Sequence, residues 1–223
     1  MQIQEGFSTD GNALSAALDQ YLVGIRSIRR SAAFYGALER FQLSLDSLRL
    51  LVARLAARPE RKVVLWISPG WPILSGPDVE LDSKQEQEIF RDIVGFSTQL
   101  LRARITLYSI DPLGSADFGT RAYYYQEFLK GIREPGQAVL GDLALQVLAT
   151  QSGGLAFTIN NDVAALLQKS LADTDAYYEL SFLPPSDAKR NEYHQLEIRV
   201  SKPGLTARTR QGYYAQPEFG QVH

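Results

Sequence analysis

Three short apolar runs, separated by loops and by segments of helical period, decide what this chain can fold into. They are Arg61–Ser68 (RKVVLWIS), Ile105–Ile110 (ITLYSI) and Leu155–Ile159 (LAFTI). The first two are too short for an ordinary helix and lack the polar alternation of a strand with one wet face. They therefore predict strands buried on both faces. Pro69-Gly70 stops the first, and Asp111-Pro112-Leu113-Gly114 stops the second. Pro and Gly at those points cannot continue a ladder and favour a turn.

Helical signals surround the runs. Phe34, Leu38, Phe41, Leu45, Leu48, Val52 and Leu55 recur at spacings of four and three, which predicts a long amphipathic helix packed on a core. Asp10–Ile25, with Leu14, Leu18 and Leu22 on one stripe and Asp10 or Asn12 as cap, predicts another. Ser83-Lys84-Gln85-Glu86 has capping-box form ahead of Ile89, Ile93, Phe96 and Leu100. A helix over Ala138–Thr150 is expected to end at Gly153-Gly154, and Asn160-Asn161-Asp162 to cap a last one reaching Ala172. Strand and helix in alternation require right-handed crossovers, hence an α/β doubly wound, mostly parallel sheet flanked by helices.

Beyond residue 175 the period changes. Tyr178, Leu180 and Phe182 alternate with polar residues, as do Leu196, Ile198 and Val200, and Pro203-Gly204 turns into Leu205–Tyr214. This predicts a C-terminal antiparallel β extension on one edge of the sheet. The expected organisation is an α/β body over 1–175, the extension over 176–215 in the same domain, and a tail over 216–223.

Composition narrows the function. Lys and Arg number 23 against 25 Asp and Glu, so the bulk charge does not call for nucleic acid as a partner. The absence of Cys excludes disulfides and thiolate chemistry, and His194 and His223 are the only imidazoles. No apolar run approaches the length of a membrane helix, so no membrane insertion is expected, and MQIQEGFSTDG lacks the regions of a signal peptide. The basic stretch Gly24–Lys62 and the acidic stretch Asp78–Asp92 read as solvated helix faces.

In an open parallel sheet, ligands bind beyond the carboxyl ends of the strands. That rule selects Ser68, Gly70 and Trp71 after the first strand, Asp111 after the second, and Asn160-Asn161-Asp162 after the third. A nucleophilic Ser68 would need a Gly-x-Ser-x-Gly elbow, which is absent, and would have to take His194 as its base. No phosphate-binding glycine loop occurs. Asp111 is the one carboxylate directly following a buried strand, and one carboxylate does not make a Mg²⁺ site. Trp71 is an interface anchor if exposed and a structural residue under the Pro72 loop if buried. Tyr123-Tyr124-Tyr125 carries the same pair of readings: recognition surface, or packing on the body.

The segments RKVVLWISPGWP, ITLYSIDPLG, LATQSGGLAFTINNDVAALLQKSLADTDAYYELSFLPP and HQLEIRVSKPGLTARTRQGYYA, in that order, resemble the acidobacterial von Willebrand factor A-related domain over about residues 61–215. The SGG-x-x-F segment, the helix running into AYYELSF and the closing RTRQGYY carry most of the resemblance. It implies an adhesion-type fold with no turnover, similar to integrin inserted domains, in an exported protein. The metal-ion-dependent adhesion site of that family fails to carry over. Its Asp-x-Ser-x-Ser strand is missing, its second-loop Thr falls at Ala32 beside Ser31, and its Ser-Asp-Gly segment is Ser68-Pro69-Gly70, with Pro69 in place of the carboxylate.

The expectation is thus a non-enzymatic module with a degenerate metal site, without cofactor, binding a protein or extracellular polymer through Ser68, Gly70, Trp71 and Asp111. The alternatives are a Mg²⁺-dependent binder completed by an upstream segment of a longer parent, and a Ser68 hydrolase. A sheet without the family's first strand would also be open to self-association.

Overall fold

Apolar spacing of four and three produces the first long helix, α1 (Ala33–Ala56), whose Phe41, Leu45, Leu48 and Val52 form one buried stripe. The structure, a computed structural model, describes residues 10–12, 16, 33–68, 70–71, 81–112, 124–158, 160, 162–174, 176–205 and 207–217. Of the Asp10–Ile25 helix expected from sequence, Gly11, Asn12 and Ala16 are helical and the rest of that helix lies outside the described residues, as do Ser31, Ala32, Pro69, Tyr123 and His223.

Three strands follow the apolar runs: β1 (Lys62–Ile67), β2 (Ile105–Ile110) and β3 (Ala156–Phe157). They form a parallel sheet in the order β1-β2-β3, with Lys62 opposite Ile105, Ile67 opposite Ile110, and Ile110 opposite Phe157. β2 lies in the middle and all six of its residues are buried. Lys62, Val64 and Trp66 share a face with Ile105, Leu107 and Ser109 by this register. That face packs against α1, α2 (Ser83–Arg102) and α3 (Leu145–Gln151) in one apolar cluster. Fully burying a side chain such as Ile105 or Leu107 stabilises the fold by about 1.5–3 kcal/mol. α4 (Val163–Ala172) serves the opposite face, where Tyr108 reaches Asp173 at its end.

Helix starts follow local chemistry. The cap of α2 is Asp82, one residue before the expected Ser83. Its Oδ1 accepts from the N–H groups of Lys84 and Gln85 at 2.9 Å, and the Gln85 Oε1 accepts from the Asp82 N–H. The single helix expected over Ala138–Thr150 is two elements, a 3-10 turn at Leu140–Leu143 and then α3. The Asp142 carboxylate takes the Val139 N–H at 3.0 Å and so caps the 3-10 turn, and Ala144, extended at φ −60 and ψ 144, separates that turn from α3.

The loop from α3 to β3 locks the sheet. Leu107 N–H, pointing toward β3, finds no backbone acceptor because β3 is two residues long; the Ser152 hydroxyl accepts it at 2.8 Å and donates to the Ala149 carbonyl at 2.7 Å. Gly153 turns the chain at φ +91, and a Cβ on Gly154 would stand 1.8 Å from the Leu107 carbonyl oxygen. Each of the three residues in Ser152-Gly153-Gly154 thus has a separate steric or hydrogen-bonding reason.

The C-terminal extension is smaller than expected and elsewhere. Among the described residues only β4 (Tyr193–Gln195) and β5 (Gly212–Tyr214) pair, antiparallel, as a separate two-stranded sheet. It docks on α2 through the Tyr214 ring, 6.2 Å from Phe90 and 5.2 Å from Tyr193. Leu196 adds one bond to this pairing, its N–H to the Gln211 carbonyl at 2.9 Å, but residues 176–182 and 197–200, expected as strands, form no ladder among the described residues, and Tyr178 is 94% exposed. Alternation made them strand-like, yet a strand needs a partner edge.

What ties this segment to the parallel sheet is polar. The Tyr108 hydroxyl donates to Asp173 at 2.5 Å, Arg208 donates to the Tyr108 oxygen at 2.9 Å and pairs directly with Asp173, and Arg61 donates to the Asp173 carbonyl at 3.1 Å. Burial pulls the Asp173 carboxyl up, but the Tyr108 and Arg208 hydrogen bonds and the Arg208 and Arg61 charges outweigh it and hold it below its ordinary range. Burial, then the hydrogen bond to Asp173, pushes the Tyr108 hydroxyl up to about 12.

Two outcomes follow for stability. Ser152→Ala leaves the Leu107 N–H unpaired and should cost about 1–3 kcal/mol in urea unfolding. Asp142 is 3% exposed, and burial pushes its carboxyl up to about 7. With the folded value above the unfolded one, its favourable contribution is complete below about pH 4 and disappears as pH rises to about 7, a loss of up to about 4 kcal/mol. Asp142→Asn keeps an acceptor for Val139 and removes the charge. Its thermal midpoint near pH 8 should exceed that of the parent, and its stability should fall less between about pH 4.5 and 8.

Candidate functional site

Parallel register brings the ends of the three strands to one rim. Past Ile67 the Ser68 N–H donates to the Ile110 carbonyl at 2.9 Å, and past Ile110 the Asp111 N–H donates to the Phe157 carbonyl at 2.9 Å. Ser68, Asp111 and Thr158 are therefore next in register to one another. By strand alternation they belong to the face that carries α1, α2 and α3. Of the residues selected from sequence, Ser68 and Asp111 do come together in this row. Thr158 joins them although the sequence reading left it inside the third strand.

Gly70 builds the loop above the row. It adopts φ +82, its N–H donates to the Ser68 Oγ at 3.2 Å, and a Cβ at this position would stand 2.3 Å from Nε2 of Gln146. Gln146, in the first turn of α3, is buried, and its Oε1 accepts from the Tyr124 hydroxyl at 3.1 Å. Gln146 was missed from sequence. Its signal was a polar residue at a position of the apolar stripe Leu145, Leu148, Ala149. Tyr124 thus braces the loop, while its neighbour Tyr125 is buried against Ala144 and Val147.

Trp71 takes the structural one of its two readings. It is 5% exposed, with its ring edge-on to Phe41 at 5.5 Å and to Trp66 at 6.2 Å. Its indole N–H is buried without a hydrogen-bond partner among the described residues. Its ring thus lies among core aromatics beneath the rim.

The Ser68 Oγ accepts from its own loop. His194 lies in β4 of the other sheet, stacked on Tyr213 at 5.3 Å and 3.7 Å from the Glu192 carboxylate. Among the described residues no three His, Asp or Glu side chains converge as metal ligands. After the third strand, the Asp162 side chain accepts from the Ala165 N–H at 3.0 Å and Asn160 accepts from the Asp162 N–H at 2.8 Å, so both groups serve the cap of α4.

Gly70→Ala should destabilise the protein by more than about 1 kcal/mol, because the left-handed backbone and the buried Gln146 amide both oppose a Cβ. In the Gln146→Ala background the same change should cost less, since only the backbone component remains; denaturant unfolding of the four-member cycle measures the coupling. Searches against protein-family models, curated proteins and solved structures found no match to this chain.

Proposed function

We propose that this chain is a non-enzymatic interaction module of von Willebrand A type with a degenerate metal site. On this reading it binds a protein or extracellular polymer through the loops at the carboxyl ends of β1, β2 and β3. The observation that carries the reading is the row Ser68, Asp111 and Thr158. It occupies the position where an open parallel sheet recognises ligands, with one carboxylate in place of a ligand set. The resemblance of the SGG-x-x-F, AYYELSF and RTRQGYY segments to the acidobacterial von Willebrand factor A-related domain supports the same reading and an exported setting. No helix of the described residues is long and apolar enough to cross a membrane.

Hydrolysis by Ser68 has less support, because its oxygen is turned onto the Gly70 N–H and His194 belongs to the other sheet. A cation-dependent binder would need oxygen ligands beyond Asp111 and Ser68 supplied by a further segment.

Calorimetric titration with Mg²⁺ and Mn²⁺ should give no saturable heat in the micromolar range. Binding of the immobilised chain to extracellular extract should survive EDTA and be lost in Ser68→Arg, which puts bulk and charge into the rim. Saturable cation binding would overturn the degenerate-site reading, and ester turnover abolished by Ser68→Ala would replace it with the hydrolase.

A further inference from the structure

The two-stranded sheet rests on the body by two rings. Tyr214 lies against Phe90 of α2, and the Tyr193 ring comes so close to Gly131 that a Cβ there would enter it. Ile132, Leu140 and Leu143 belong to the same apolar cluster as both rings, so this seat is continuous with the 3-10 turn at Leu140–Leu143. Inside that turn Asp142 is buried, with one carboxylate oxygen on the Val139 N–H. Burial raises its carboxyl, the Val139 N–H lowers it, and no charge on a neighbouring element acts on it among the described residues. α3 carries no charge, Arg91 and Asp92 of α2 pair with Glu88 and Arg49, and Glu127, Lys130, Arg133 and Glu134 on the preceding segment are exposed. What the terminal sheet brings toward Asp142 is a phenol. Burial pushes the Tyr214 hydroxyl up, and the charges of Tyr193 and Asp142 push it further, so Asp142 and Tyr214 act on each other.

A buried carboxylate with no cation beside it ionises only if water reaches it. Water enters where the fold opens at least cost. The terminal sheet is that element, since its ladder holds three residue pairs and a two-stranded ladder is marginal by itself. Its other tie behaves differently. Arg208, ahead of β5, pairs with Asp173, whose carboxyl the Tyr108 and Arg208 hydrogen bonds hold below its ordinary range against the pull of burial, so this contact keeps its charge as pH falls to about 4. The geometry points to a latch set by pH: the β4–β5 sheet is closed on α2 while Asp142 is neutral and swings off when Asp142 ionises, turning about the Arg208–Asp173 contact. Release uncovers Phe90 and Ile132 and does not involve the strand-end loops. The closed form holds the proton more tightly, so closure is firmest in acid. With the closed carboxyl at about 7 and the open one at about 4, the open fraction rises about tenfold per pH unit between those values and levels off above about 7.

Amide exchange of the full chain, corrected for intrinsic rates from about pH 4.5 to 8, reads the latch directly. The Leu196 and Ala215 N–H groups, bonded to the Gln211 and Glu192 carbonyls at 2.9 and 2.8 Å, should lose protection about tenfold per pH unit up to about pH 7 and no further. At every pH they should stay far less protected than Leu107 and Tyr108 of β2. Carbon NMR of the parent protein should show the Asp142 carboxyl titrating where that loss levels off, a measurement free of any folding defect in a variant. Asp142→Asn should flatten the profile. Protection at Leu196 and Ala215 that is independent of pH overturns the inference, as does an Asp142 carboxyl titrating at its ordinary value or a slope that folded Asp142→Asn retains. Exchange of these amides at the rates of Leu107 and Tyr108 overturns it as well, because the sheet would then open only with the whole fold.

Discussion

The backbone of Leu107 is the point on which the parallel sheet depends. Its N–H and C=O lie in the buried middle strand, where an unpaired group costs about as much as a good side-chain contact supplies. The Ser152 hydroxyl extends the ladder past the end of a two-residue strand, and Gly154 allows the returning chain to approach the Leu107 carbonyl closely. A short β3 and a fully buried β2 are compatible only because of that loop. The rim inherits the same constraint, since the place of Asp111 beside Thr158 is set by how β3 registers against β2.

Rigidity at the rim comes from below. Gly70 bends in the left-handed region over the Gln146 amide, Tyr124 holds that amide, and Trp71 fills the space between Phe41 and Trp66. The result is a firm frame with a sparse set of functional groups. On the proposed reading, such a frame would support recognition by shape and a few polar contacts.

Signals tied to one element were readable from sequence. The apolar runs located β1 and β2, and the spacings of α1 and the stripe of α2 put the buried residues on the right faces, because burial acts through periodicity. What depended on a second element was not readable. Residues 176–182 and 196–200 alternate like strands, but whether a strand forms rests on an available edge. The break before α3 lies at the extended Ala144, whose packing against Tyr125 is set by another element. Trp71 follows an apolar strand and a glycine turn, as an exposed anchor would, and only the arrival of α1 over it decides that it is buried. Gln146 could be seen as a polar residue on an apolar stripe, but its partner Tyr124 is 22 residues away in sequence.

The Tyr108–Asp173–Arg208 contact has a bearing on assembly of the chain. It joins side chains 100 residues apart, and one of the three belongs to the central strand. Closing so long a loop early would cost chain entropy with little return, so docking of the closing segment falls late, after β2 and α4 are in place. During synthesis the order of emergence is the same. Of the three, the residue that arrives last, Arg208, is therefore the one that seals a sheet already formed, and a chain whose sheet fails to form has no Tyr108–Asp173 seat for Arg208 to close upon.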